Sequence, residues 1–437
     1  MMSQSDQEAK VELLEEPKVT GLGFRQRRLE WQGVRKWGAK GFWAVTDQAL
    51  FAGTNFLVNI LLARWLESAA YGAFATAYAV FLLLGTLHTA LWTEPMLVYG
   101  SSRYREAFGA YQAILLRYHW RFGLAAFAVF LALGLGLGVV GQRELALSFL
   151  GLSLAAPLVL YMWLVRRGAY ALLEPRLAAL GGGLYLFLYL GLAVSLLRMG
   201  FLNPFTALLA MALAALLAAE GIRFRLKSGP DRSVDPSEIR ALHWGYGRWA
   251  FLAGALSWVP ANLPLVLLSA LKGLAYGGEF RAAYNLYMPV LHFQTSLNAL
   301  FFPFLARLWH EEGGMAWRQV GKISLVHLVP ATLYLPVAFW VDQVALLLYG
   351  PQYPQVAALF FWMLPIPFLA AFSNALEAWN RGADQPRVVT MAYAGASLLT
   401  FLAGPGFIAV FGGMGAAVTL VLAKASLVLA LYALRAR

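Results

Sequence analysis

The chain has no cysteine, which excludes disulfides, thiolate metal sites and thiol nucleophiles and leaves the redox compartment open. Charge is scarce too: Asp, Glu, Lys and Arg make up 13% of the 437 residues against 60% hydrophobic, with a mean hydropathy of +0.62. So little charge on so apolar a chain reads as an all-α polytopic membrane protein and not as a soluble domain. No Gly-rich phosphate loop, paired-His metal motif or Ser nucleophile elbow occurs, and no cofactor is expected. Residues 1–20 hold Asp6, Glu8, Glu12, Glu15 and Glu16 and no apolar run, which excludes a cleaved signal peptide and reads as a disordered tail.

What is present is a series of apolar runs. Hydropathy predicts twelve membrane helices, at 42–65, 71–98, 119–141, 145–165, 177–198 and 203–222 in a first half and at 247–271, 279–306, 321–341, 355–379, 387–411 and 413–434 in a second. Two prolines beside Gly350 predict a turn between the ninth and tenth. The domain reading follows: a tail and basic interfacial segment at 1–41, a six-helix lobe at 42–222, a cytoplasmic linker at 223–246 and a second six-helix lobe at 247–437.

Net charge is +12, and its distribution speaks of topology and not of nucleic acid. Away from Lys424, inside the twelfth span, every Lys and Arg falls on one side except Arg64, Arg143, Arg198, Lys272 and Arg281. The positive-inside rule therefore places both termini in the cytoplasm, in a multi-pass protein of the cytoplasmic (inner) membrane. The connections on the other side are too short for an external catalytic domain, so the chain is not expected to be an enzyme.

The first span, FWAVTDQALFAGTNFLVNILLARW, covers roughly 36 Å at about 1.5 Å per residue, against a hydrocarbon core of about 30 Å. It carries Asp47, Gln48, Asn55 and Asn59, each costly in lipid unless partnered. Gln48, Asn55 and Asn59 lie on one side of the helix, so this span is expected to face a polar interior. The two halves look related: Tyr71, Gly72, Ala77 and Tyr78 match Tyr276, Gly277, Ala283 and Tyr284 with a one-residue slip. Six helices separate the repeats, an even number, so a pseudo-two-fold along the membrane normal is expected to relate the lobes.

The segment from Trp43 to Gly100, with Asp47 and Gln48, Ala63 and Arg64, Tyr71, Gly72 and Phe74, and Glu94 and Pro95, resembles the start of bacterial polysaccharide flippases. These belong to the multidrug, oligosaccharidyl-lipid and polysaccharide exporter superfamily, and LLYGPQY, ending at Tyr353, resembles a stretch of their second half. The resemblance implies a V-shaped two-lobe fold with the first, second, seventh and eighth helices as cavity walls. It implies flipping of an undecaprenyl-diphosphate-linked oligosaccharide to the outer leaflet by alternating access, with polysaccharide polymerase and assembly proteins as partners. Twelve spans fit that branch better than the fourteen usual for lipid II flippases.

Such a substrate brings a diphosphate that calls for Arg or Lys and sugars that call for amides, carboxylates and aromatic faces. The candidate substrate or coupling residues are Asp47, Gln48, Asn55, Asn59, His88, Glu94, Arg248, Asn262, Arg281, Asn285, His292, Gln294, Asn298 and Lys424. Asp47 and Glu94, at similar depth, are expected to form a gate or a site of H+ or Na+ coupling; Arg248, Arg281 and Lys424 are expected to include the diphosphate site. For the histidines and amides the competing reading is helix-packing hydrogen bonds, and for Arg64 and Arg281 snorkelling to the interface. The alternative function is a cation-coupled multidrug exporter of the same superfamily; a membrane glycan-processing enzyme is the third reading. The charge pattern predicts that reporters fused after Ser228 and Glu312 read cytoplasm and those after Glu67 and Ala275 read outside. Reversal at two of the four sites would overturn this topology.

Overall fold

A computed structural model describes residues 22–226, 233–312, 317–383 and 385–434, and these are almost wholly helical. The acidic tail lies outside the described residues. In chain order the helices are α1 (Leu22–Trp65), α2 (Ser68–Tyr99), α3 (Phe108–Val139), α4 (Arg143–Ala171), α5 (Pro175–Arg198), α6 (Pro204–Arg223), α7 (Pro236–Lys272), α8 (Leu274–Glu312), α9 (Arg318–Tyr349) and α10 (Val356–Gly382). The last helical stretch, Pro386–Ala433, breaks at Gly412, whose φ of 57° only glycine adopts readily, into α11 (386–411) and α12 (413–433). Among the described residues, nine helices are long and apolar enough to cross a membrane.

Several ends follow from local chemistry. Pro175, Pro204, Pro236 and Pro386 sit in first turns, where a missing N–H costs no hydrogen bond. Asn203 and Thr206 form a reciprocal capping box at the start of α6. Asp235 caps α7 by accepting from the Ser237 hydroxyl at 2.6 Å and the Ser237 backbone N–H at 2.8 Å, which hold its carboxyl below the usual range. The start of α7 at Pro236 and of α1 at Leu22 extends both beyond their apolar cores, because polar residues continue a helix once it leaves the lipid. The basic segment before residue 41 is thus helical backbone continuous with α1.

α1 to α6 pack together, and so do α7 to α12. In the first group the alanine face of α6, including Ala207, Ala214, Ala215 and Ala218, lies buried against α4, as in membrane bundles held by close backbone approach. Interior prolines free carbonyls that neighbours then satisfy. Pro95 removes the donor for Leu91 O, which instead accepts from His243 Nδ1 at 2.7 Å; Pro260 does the same to Leu256 O, which accepts from Ser397 at 2.7 Å.

The two groups meet mainly through α2 against α7 and α8. At the end that the charge pattern places outside, the seam is tight. An added Cβ on Gly72 would lie 1.8 Å from the Leu274 carbonyl oxygen, and one on Gly278 would lie 2.3 Å from that of Ser68. Thr76 donates to Ser269 at 2.8 Å. The turn after Gly350 reaches across, with Gln352 donating to the Ala63 and Leu66 carbonyls at 2.8 and 3.1 Å and the Tyr353 hydroxyl to Ala63 O at 2.8 Å. At the opposite end the first turns of α7 dock on α2 and α3. There Tyr118 donates to Pro236 O at 3.0 Å, Tyr111 donates to His243 Nε2 at 2.8 Å, and Arg103 pairs with Glu238.

Because the chain lacks cysteine, a Thr76→Cys/Ser269→Cys pair is a clean reporter of the tight seam. It is expected to cross-link under mild oxidation, and adding Gly72→Leu, which cannot fit under Leu274, is expected to abolish the cross-link. Unchanged cross-linking on a gel after Gly72→Leu would refute the close approach.

Candidate functional site

Asp47 is fully buried in α1, and its partners come from α4. Arg166 forks onto it, Nε to Oδ1 at 2.9 Å and Nη2 to Oδ2 at 2.5 Å, while the Tyr170 hydroxyl donates to Oδ2 at 2.6 Å. Gln48, next in the chain, is exposed, and the Arg166 guanidinium lies 4.5 Å from the centre of the Phe51 ring. Two oxygens and a planar fork make the strong bidentate arrangement, and the aromatic face screens it from lipid. The hydropathy reading ends this helix at 165. The structure corrects it: α4 runs to Ala171, so Arg166 and Arg167 lie within the helix. Two adjacent arginines level with Asp47 were the available signal.

Glu94 takes a different position. It lines a cavity of about 340 Å³ between α2, α4 and α7, together with Thr86, Thr89, Trp163, Trp258 and Asn262. Arg167 lies within electrostatic reach of both Glu94 and Asp47, and Arg381 of α10 within reach of Glu94. The two acids are thus linked through α4 but face different surroundings, one sealed and one open to the cavity.

The amides divide in the same way. Asn59, Tyr71 and Asn285 form a buried chain across α1, α2 and α8, with Asn285 donating to the Tyr71 hydroxyl at 2.8 Å and Tyr71 to Asn59 Oδ1 at 3.3 Å. Asn55 presents its backbone carbonyl to Asn59 at 2.7 Å. Asn262 lines the cavity and donates to Trp258 O at 3.3 Å. Gln294 is buried in the second group, donating to the carbonyls of His327 and Pro367 at 2.9 and 2.8 Å, and Asn298 meets His327 Nε2 at 3.1 Å.

His88 sits inside the first group, its Nε2 3.0 Å from His119 Nδ1, beside Trp92 and Phe122. His292 is exposed on α8. Arg248 is exposed and lies over its neighbour Trp249 at 5.5 Å. Arg281 is half-buried, lies 6.0 Å from the Tyr284 ring centre and is within electrostatic reach of Tyr71. Arg64 reaches the Leu347 carbonyl across the seam. Lys424 lines a second cavity, within the α7–α12 group. Arg166, Arg167, Tyr170, His243 and Gln352 are the residues that the sequence reading did not single out.

Among solved structures, the chain matches an inward-facing conformation of a multidrug resistance MATE family transporter of the MOP superfamily, with TM-score 0.69 and 14% identity over 90% of this chain and 97% of the other. It matches the eukaryotic MATE transporter AtDTX14 with TM-score 0.62 and 14% identity, over 92% and 95% of the two chains. A MOP superfamily transporter from Pyrococcus furiosus matches with TM-score 0.59 and 14% identity, over 90% and 93%. No protein-family model and no curated protein matches the sequence. The likeness shows an all-α polytopic membrane fold of the MATE-like type, and the three solved proteins named here are each described as transporters.

Removing one partner of a buried ion pair leaves the other charge stranded, at a typical cost of about 3–5 kcal/mol. Asp47→Ala is therefore expected to lower the thermal stability of the purified protein severely, and adding Arg166→Met is expected to restore most of it. A double variant no more stable than Asp47→Ala would show that the pair does not hold α1 to α4.

Proposed function

Proceeding from a MOP-type fold, we propose that the protein is a transporter that flips an undecaprenyl-diphosphate-linked oligosaccharide from the inner to the outer leaflet of the cytoplasmic membrane. Its framework in this reading is twelve spans in two six-helix lobes, related by a pseudo-two-fold along the membrane normal, with both termini cytoplasmic. The seam at Gly72, Thr76 and Gln352 is then the closed outer gate of a state that loads from the cytoplasm, and polymerase or assembly proteins would take the product.

The observation that carries the reading is the sign of the fixed charge. Asp47 is already neutralised by Arg166, and Glu377 by Arg381 at 3.6 Å, whereas Arg281 and Lys424 have no carboxylate in ion-pair contact among the described residues. Arg281 and Lys424 thus place fixed positive charge on the proposed path, which suits an anionic head group, and Glu94 and Glu279 are the carboxylates set against it without a cation in ion-pair contact among the described residues. The competing reading, a cation-coupled drug exporter, draws on the multidrug transporter among the solved relatives and on Glu94, the acid exposed to the first cavity. In the flippase reading Glu94 is the H+ or Na+ coupling group, and Arg281, facing Tyr71 and Tyr284, meets the diphosphate near the outer end of its path.

Reconstituted vesicles test this. Undecaprenyl-diphosphate-linked glycan is expected to move between leaflets, ethidium is not, and Arg281→Gln is expected to weaken lipid diphosphate binding about ten- to a hundredfold, the loss of one charge-assisted hydrogen bond. Proton-driven ethidium export without glycan movement would establish the competing reading.

A further inference from the structure

The α7–α12 group encloses a cavity of about 210 Å³ between α7, α8, α10, α11 and α12. Its lining holds one cation and no carboxylate. Lys424 of α12, Asn374 of α10 and Tyr284 of α8 all border it, and none of the three side chains makes a hydrogen bond or ion pair among the described residues. Each supplies donors: an ammonium, an amide and a phenol. The nearest carboxylate, Glu377, is already engaged, accepting from the Tyr393 hydroxyl at 2.8 Å and pairing with Arg381 at 3.6 Å. Glu377 therefore serves two other groups, and the Lys424 charge is left without a counter-ion in contact.

A lysine at the middle of a membrane helix costs about 2.5–3.5 kcal/mol on insertion scales unless something offsets it. Here what borders it is a chamber whose lining carries no carboxylate. Ser257 and Ala261, both small, line this cavity and also the one that Glu94 borders, so the two share a wall of α7. A substituent on a substrate in the first cavity has a short way to the second.

We infer that this chamber is an anion-recognising pocket in which Lys424, with Asn374 and Tyr284, takes the carboxylate of an acidic sugar. The ammonium supplies the charge, the amide and phenol supply further hydrogen bonds, and the Tyr284 and Tyr393 rings offer faces for a sugar ring. The cavity suits one sugar residue and not a chain, so the pocket selects a charged unit of the glycan while the diphosphate is held elsewhere. The inference rests on the flippase reading and names the substrate class within it.

The test uses the full chain in nanodiscs, with free D-glucuronate as probe, D-glucose and chloride as controls, and saturation-transfer NMR and thermal shift as readouts. Glucuronate is expected to bind saturably and glucose not to bind. Lys424→Met, which removes a buried charge and should fold at least as well as the parent, is expected to weaken glucuronate binding about tenfold or more, and Lys424→Arg much less. Equal response to glucuronate and glucose, undiminished glucuronate binding by Lys424→Met, or chloride competing as strongly as glucuronate itself would overturn the pocket. Loss of undecaprenyl diphosphate binding by the parent protein, with Lys424-dependent glucuronate binding intact, would instead remove the flippase reading and leave the pocket standing.

Discussion

A carboxylate that cannot reach water must find its counter-charge inside the protein, and the Asp47–Arg166 pair is where this chain meets that constraint most directly. Asp47 is wholly buried and Arg166 nearly so. Desolvating both ions costs several kcal/mol each, which only close, bidentate contact with further hydrogen bonds can offset. The fork geometry, the Tyr170 hydroxyl and the Phe51 face supply those terms together. Their effect is to pin the inner part of α1 to α4, so that α1 reaches the seam as part of a rigid group.

The same scarcity of water explains the prolines. In lipid an unpaired carbonyl is expensive, so a membrane helix can break its own ladder only where a neighbour donates. His243 and Ser397 are those donors for Leu91 and Leu256. His243 also accepts from Tyr111, which requires its proton on Nδ1 and leaves Nε2 as acceptor. A histidine so fully engaged is a structural tie between α7 and α2, and the bend that needs it is built into α2 at Pro95.

Composition and hydropathy made the membrane class and helical build legible, because both depend on how much apolar surface the chain carries and at what spacing. Asp47 was legible as a group needing a partner. Its partner was not, since hydropathy averages over a window and Arg166 falls where the average declines, so a charged helix turn looks like a loop. Contacts between distant segments were hidden for a different reason. Nothing in the spelling of Gln352 says that its amide will meet the Ala63 carbonyl, and His88 could not be told from a cavity histidine until His119 appeared beside it. Lys424 stood out as anomalous in sequence, but the amide and phenol around it come from two other helices, α10 and α8.

The strong and the weak interactions are also distributed in a way that bears on movement. The buried ion pair joins α1 to α4 within one group, whereas the seam between groups uses mainly neutral hydrogen bonds, Asn285 to Tyr71, Thr76 to Ser269, and Gln352 and Tyr353 to carbonyls. Neutral side-chain bonds in membranes average about 0.6 kcal/mol, so a handful contributes a few kcal/mol. That is of the same order as the about 5.5 kcal/mol that moves a two-state equilibrium from one dominant form to the other. Among the described residues, the ion pair that crosses between groups, Arg103 to Glu238, is exposed, where such pairs contribute about 0–1 kcal/mol. A desolvated ion pair across the seam would have locked it, while neutral bonds and glycine contacts close it and leave it within reach of a bound ligand's differential affinity.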